Sequence, residues 1–295
     1  MDKLRPIIAL ATSGLTSKLP LKPRTSSLIV GPSGMGKSHL ARELAKEAGV
    51  PFWEANVASW IVLGAKGGNQ TLPSLVTWIA NRKSGLIFLD ELDKLTSQGE
   101  WTNAIRLEIH DLIDGRLPDG AIDVSGTTQM EELTDDQDKF VRKTLIKSEV
   151  EDKLKNSFMI VGAGAWQEAW LSHGQPIGFH QEQEVKTLAE RIERKQIKKS
   201  ITPEILQRFR NEILFLDPMT EADYLHAMIS LSGRLPVNQR CRFVELAIKS
   251  IPSAVEDGLG MRVFEEVYAA FCSEIYHRVA GDPMVLEEIL TRVPA

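Results

Sequence analysis

Gly31-Pro32-Ser33-Gly34-Met35-Gly36-Lys37-Ser38 places glycines, a lysine and a hydroxyl side chain in one short stretch. A bound polyphosphate needs those residue types in that order. The glycines let the backbone curl until several N–H groups point inward. The helix pattern that starts at Lys37 adds the positive end of its dipole. Lys37 would reach the β- and γ-phosphates of a nucleoside triphosphate, and the Ser38 hydroxyl would hold Mg²⁺. A second group lies downstream: Gly85-Leu86-Ile87-Phe88-Leu89 is an apolar run that ends in the adjacent carboxylates Asp90 and Glu91. Asp90 would bind the metal, directly or through water, and Glu91 would polarise the water that attacks the γ-phosphate. Together the two groups form the Walker A and Walker B halves of one phosphate-cleaving site.

Chemistry of this kind needs a sheet whose strand ends present the loop and the acids side by side. Leu28–Val30 and Gly85–Asp90 are unbroken apolar runs, as expected for strands covered on both faces of a parallel sheet. Phe158–Gly164 and Ile213–Leu216 are further apolar strands, and Phe52–Asn56 reads as a short one, giving five in all. Helices are expected between them, one over Lys37–Ala48 closed by Gly49, one from Thr71, and one over Asn103–Asp114 stopped by Gly115. Before the first strand, Pro6, Pro20 and Pro23 leave room for one short helix. Val62–Asn69 reads as a glycine-rich loop, and 115–140 as a long polar excursion with an acidic cluster from Glu131 to Asp138. Gln181–Ser200 interleaves lysines and arginines with glutamates, the pattern of an exposed helix. Asp217-Pro218 breaks the α/β pattern. The expected division is therefore an αβα domain over 1–217 and a small all-helical domain over 218–295. The second contains helices at Thr220–Leu231, Val237–Ser250, Gly260–Val279 and Pro283–Arg292.

Composition sets broad limits. With 295 residues, 43% hydrophobic and 25% charged, the chain can bury one large core and a smaller one. A net charge of −5 argues against a broad nucleic-acid footprint, though not against a local basic stripe. Cys241 and Cys272 lie in helical patterns without metal-ligand spacing and read as core thiols of a reducing compartment. No apolar run is long enough to span a bilayer, and the N-terminal apolar stretch is too short for a signal peptide. The expectation is a soluble, cytoplasmic protein with no membrane partner.

With these segments in hand, the chain resembles the AAA+ ATPases, and within them the ClpX-type unfoldases. The likeness is carried by Val50-Pro51-Phe52, Ile105–Gly115, Met159–Trp166, Pro203–Arg208 and Gly258–Arg262. It implies a P-loop three-layer αβα domain with a five-stranded parallel sheet, followed by a helical lid. It also implies ATP and Mg²⁺ as cofactors. Nucleotide contacts would come from Gly31, Pro32, Ser33, Gly34, Met35, Gly36, Lys37, Ser38 and His39. The metal would be held by Ser38 and Asp90, with catalysis by Glu91 and Lys37. Arg208 aligns with the arginine finger that is supplied to a neighbouring subunit's ATP, with Arg210 a near rival. Arg262 aligns with the sensor-2 arginine of the lid. An arginine acting in trans implies a homo-oligomer, a hexameric ring.

The chain also departs from that pattern. Ala163 and Gly164 lie where many relatives carry a polar sensor-1 side chain. The aromatic pore loop becomes Gly64-Ala65-Lys66-Gly67, with Trp60 four residues earlier read equally as a substitute or as a core residue. No counterpart of the ClpX zinc-binding N-terminal domain is expected, and Ile177-Gly178-Phe179 resembles the tripeptide that docks a ClpP-like peptidase. The leading expectation is a ring-forming ATPase that remodels or threads a protein substrate or partner. Two others stand beside it: a nucleic-acid-handling switch of the helicase-loader or transposition-regulator type, supported by Gly36–Ala41 and Lys66, and an ATP-gated activator of a separate effector.

Overall fold

The computed structural model describes residues 3–66, 70–96, 99–118, 120–122, 127–133, 140–166, 203–210 and 213–278. The chain divides into two compact units. The first comprises Met1–Val30 and Lys37–Phe215; the second comprises Gly31–Gly36 and Leu216–Ala295.

The first unit begins with helix α1 (Arg5–Thr12) and a 3₁₀ turn at Leu15–Lys18. Strands β1 (Ser27–Val30), β2 (Phe52–Asn56), β3 (Gly85–Asp90), β6 (Phe158–Gly164) and β7 (Ile213–Phe215) form one sheet in the order β2-β3-β6-β1-β7. Every neighbouring pair is parallel. All residues of β1 and β6 are buried, as are all but the last of β3. That is the physical reason these strands lack polar alternation: both faces are covered. Helices α2 (Lys37–Glu47), α4 (Thr71–Ala80) and α5 (Glu100–Ile113) bury one stripe each. Leu72, Val76 and Ile79 of α4 and Ile105, Ile109 and Leu112 of α5 share one core with β1, β3 and β6.

Two expectations for this unit need correction, and the two readings of Trp60 are decided. Val62–Asn69 is not a loop throughout, because helix α3 spans Val57–Ala65. The Asn56 side chain caps it by accepting from Ser59 N at 2.9 Å, and the buried Val57, Trp60 and Gly64 hold it down. A packed face here overrides the weak helix propensity of valine and glycine. Trp60 is fully buried and belongs to the core, so it does not stand in for a pore aromatic. The stretch 115–140 is not wholly irregular either. Strand β4 (Thr127–Leu133) pairs antiparallel with β5 (Phe140–Ile146), from Thr127↔Ile146 to Leu133↔Phe140. Helix α6 (Lys147–Ser157) follows, and α7 (Pro203–Arg208) precedes β7. Residues 67–69, 134–139, the tripeptide Ile177–Phe179, the charged run Gln181–Ser200 and the helix expected at Pro283–Arg292 lie outside the described residues.

The second unit is helical, with α8 (Glu221–Ser232), α9 (Val237–Asp257) and α10 (Arg262–Arg278). Thr220 and Asp223 form a reciprocal capping box at the start of α8. Helix α9 continues past Ser250 and through Pro252, ending only at the left-handed Gly258. Tyr224, Phe243, Phe264 and Phe271 centre the core, and the rings of Phe243 and Phe271 meet edge to face at 6.1 Å. Arg242 braces α9 to α10 through two bonds to Glu274, of 2.7 and 2.6 Å. The cysteines differ from expectation: Cys241 is exposed, and only Cys272 is partly buried. Burial pushes the Cys272 thiol up from its ordinary range.

Candidate functional site

Strand β3 delivers Asp90 and Glu91 to the carboxyl edge of the sheet, and α2 begins with Lys37 and Ser38. The structure brings Ser38 and Asp90 together: the Ser38 hydroxyl donates to Asp90 Oδ2 at 2.9 Å. The other oxygen, Oδ1, accepts from the Glu91 main-chain N–H at 2.8 Å. Asp90 thus joins the start of α2 to the turn after β3. Glu91 itself has φ of 56°, a left-handed conformation that is rare for a residue with a side chain. Holding it costs on the order of 1–2 kcal/mol, and such outliers cluster at working sites.

The glycine loop has its own setting in the second unit. Gly34 has φ of 82°, and a Cβ added there would stand 2.3 Å from the Leu259 carbonyl oxygen. Only glycine satisfies both constraints. The Gly34 carbonyl accepts from Met261 N at 2.9 Å, and the Arg262 side chain passes 3.7 Å from the same Cβ position. The sequence-predicted Arg262 is therefore brought beside the loop. Tyr224, buried in the core, fixes the turn that carries it. Its hydroxyl accepts from Gly260 N at 2.8 Å and donates to the Ala254 carbonyl at 3.0 Å. Burial pushes the Tyr224 phenol up from its ordinary value, so it stays a neutral donor at physiological pH.

The donor set fits a magnesium ion. Mg²⁺ takes hard oxygen ligands, usually one or two from protein with phosphate and water completing the shell. Ser38 Oγ and Asp90 Oδ2 are two such oxygens already side by side. Among the described residues no group of three or more His, Cys, Asp and Glu side chains converges as an all-protein cage would require. His39 is exposed on α2.

The two arginines at the end of α7 are held differently. Arg208 donates through Nε to Asp114 Oδ1 at 2.5 Å, while Asp114 Oδ2 accepts from Arg116 at 3.3 Å. Arg210 is tied by its main chain, whose N–H donates to the Ser26 carbonyl at 2.8 Å at the entrance to β1. Asp114 also faces Lys22, whose pKa is lowered mainly by desolvation and then by Lys155, with Asp114 opposing. In the sequence Asp114 is legible only as a helix terminus, and nothing local marks Tyr224; Asp93 has a local signal in its place two residues after Glu91.

Part of the chain matches a known family. Residues 27–165 match the family described as "ATPase family associated with various cellular activities (AAA)". Cell division control protein 48 homolog C of Arabidopsis thaliana is 33% identical over 84 residues, 28% of this chain and 10% of that protein. ATP-dependent zinc metalloprotease FtsH 1 of Symbiobacterium thermophilum is 40% identical over 68 residues, 23% of this chain and 11% of its own length. The probable inactive ATP-dependent zinc metalloprotease FTSHI 1 of Arabidopsis thaliana is 30% identical over 99 residues, 33% of this chain and 10% of that protein. The matched stretches thus cover about a tenth of these relatives. The match over residues 27–165, which hold four of the five parallel strands, together with the sheet that β7 completes, supports an AAA ATPase domain within the AAA+ superfamily.

Proposed function

We propose that the chain binds and hydrolyses ATP with Mg²⁺, in a ring whose subunits share their active sites, and uses the cycle to remodel or thread a protein partner. The observation that carries the reading is the Ser38–Asp90 hydrogen bond. It brings a helix-terminal hydroxyl and a strand-terminal carboxylate together next to the left-handed Glu91. Ser38 and Asp90 would hold the metal, which supplies charge neutralisation at the phosphates. Main-chain N–H groups of the Gly31–His39 stretch, which Pro32 lacks, would bind the phosphate oxygens, with Lys37 countering the charge that grows on the γ-phosphate. Glu91 would orient the attacking water and take up its proton.

Arg208, or Arg210 in its place, would serve the γ-phosphate of an adjoining copy, and Arg262 the nucleotide of its own copy. Both roles rest on the resemblance, as do the ClpX-type kinship, the hexamer and the division into a nucleotide-binding domain over 1–217 and a lid over 218–295. The match to AAA-family proteins supports the ATP-driven part. No helix among the described residues is long and apolar enough to cross a membrane. The proposed compartment is the cytoplasm, where ATP is held and thiols stay reduced.

The test is steady-state ATPase activity of purified protein. Lys37→Ala and Glu91→Gln are each expected to lower kcat by about 100-fold or more, with Glu91→Gln still binding ATP. Full turnover in either variant would remove the mechanism. A second reading, a nucleic-acid-handling switch, is favoured by one observation: Ala65 and Lys66 are exposed at the end of α3, where the unfoldases carry an aromatic grip. Salt-dependent stimulation by DNA would favour this second reading, and stimulation by an unfolded protein the first.

A further inference from the structure

Among the described residues, the only ones other than glycine with a left-handed φ are Glu91 (56°) and Trp166 (48°). They stand just beyond the ends of β3 and β6, neighbouring strands whose last paired residues are Leu89 and Gly162. Asp93 lies between them. It sits in the first turn of a 3₁₀ segment, Leu92–Thr96, that follows Glu91 directly, and its side chain is only 15% exposed. Its Oδ1 accepts from the Ala165 main-chain N–H at 3.4 Å, a long bond that crosses from the turn after β3 to the end of β6. Gly164 is the opening that permits this. A Cβ there would stand 2.8 Å from Asp93 Oδ1 and 2.8 Å from the Trp166 ring. Trp166 is buried, and its Nε1 finds no partner. The ring is therefore held by packing over Gly164 rather than by a hydrogen bond of its own.

We propose that Asp93 is the positioning residue for Glu91. Its carboxylate ties the turn that presents Glu91 to the end of β6 and keeps Glu91 in its left-handed conformation. No polar side chain stands at 163–165, since these residues are Ala, Gly and Ala. The connection between the two strand ends accordingly runs from a carboxylate on one to a main-chain N–H on the other. Glycine at 164 is what makes the approach sterically possible. A helix-terminal carboxylate can also act simply as a favourable charge in a first turn. That role would affect stability but would leave the geometry of a neighbouring catalytic group alone. The inference rests on the ATPase reading above, because it assigns Glu91 a task.

The experiment compares the ATPase kinetics and thermal melting of Asp93→Ala, Asp93→Asn, Gly164→Ala and the double variant Asp93→Ala/Gly164→Ala in the full chain. Asp93→Ala is expected to lower kcat by about 10- to 100-fold with KM for ATP within about twofold, the signature of a misplaced catalytic group. Asp93→Asn, whose side-chain oxygen still accepts from Ala165, is expected to recover most of the rate. Gly164→Ala should reproduce the loss by pushing the carboxylate away, and the double variant should be no slower than the slower single, since both break one contact. The inference is overturned if Asp93→Ala keeps kcat within about twofold, or if the two losses multiply in the double variant. It is also overturned if Asp93→Asn is as slow as Asp93→Ala. Should Asp93→Ala fail to fold, the Asp93→Asn and Gly164→Ala kinetics decide the question alone. A wild-type protein without ATPase activity would sink the ATPase reading and this inference together. An active wild type indifferent to these changes would sink this inference only.

Discussion

The carboxyl edge of the sheet and the helical unit are built by opposite rules. In the helical unit local preference and tertiary packing agree. Thr220 and Asp223 cap α8, left-handed Gly258 ends α9, and aromatic rings fill the centre. At the sheet edge they disagree. Glu91 and Trp166 adopt a conformation suited to glycine, and the buried Trp166 Nε1 goes without a partner. Asp90 spends both carboxylate oxygens on holding its neighbours. Consistency across levels makes a stable element, and departures from it are expected where a protein works. The first region is arranged for stability and the second for placing a few atoms.

Substitutions can break or sharpen that contrast. The largest effect on stability is expected inside the helical unit. Phe243→Ala removes a buried ring from its aromatic cluster and should cost about 3–5 kcal/mol, visible as a lowered melting transition. A loss below about 1 kcal/mol would mean that this core is not what holds the helices together.

Glu91→Gly probes the other side. It supplies the residue type that the backbone prefers, so stability should hold or rise by about 1 kcal/mol while ATPase activity disappears. Destabilisation by this change would show that the left-handed turn carries no strain.

The smallest expected effect is at the capping box. Thr220→Ala removes the side-chain acceptor for Asp223 N and the hydroxyl and fixed N–H geometry that Asp223 uses, at a cost of about 0.5–2 kcal/mol at neutral pH. Hydrogen bonds from the Thr220 side chain and then its backbone hold the Asp223 carboxyl below its usual range. A depressed carboxyl contributes its stability above the unfolded-state value, about 3.9, and loses it as pH falls through the lower folded value. Denaturation curves of wild type and Thr220→Ala should therefore draw closer in acid, with the share of the Asp223 N bond to the Thr220 hydroxyl remaining. Curves that stay parallel down to about pH 2 would assign the cap to the hydroxyl alone.

How legible each region was in the sequence follows the same contrast. The glycine loop, Asp90 and Glu91 could be read directly because phosphate chemistry demands fixed residue types at fixed spacing. Strands β1, β3 and β6 could be read because burial on both faces leaves an unbroken apolar run. The capping box at Thr220 follows the same local rule, since Thr220 with Asp223 three residues on is a helix-start signature. The hairpin β4–β5 was not, since its pairing joins residues up to 19 positions apart, from Thr127 to Ile146, and register across such a loop has no local signature. Helix α3 is not legible because Val62 and the glycines at 64, 67 and 68 are weak helix formers, and the face that holds it is set by Trp60 packing into the core.

By itself, the sequence determined which groups are available for chemistry and where along the chain they fall, because motif spacing and hydrophobic pattern are local properties. The tertiary structure decided which of these groups meet. Ser38 reaches Asp90 across 52 positions and Arg208 reaches Asp114 across 94. Asp93 finds the main chain beyond β6 across 72 positions. Contacts of that length are made by the order of strands in the sheet, a global outcome of packing that no short window of residues encodes.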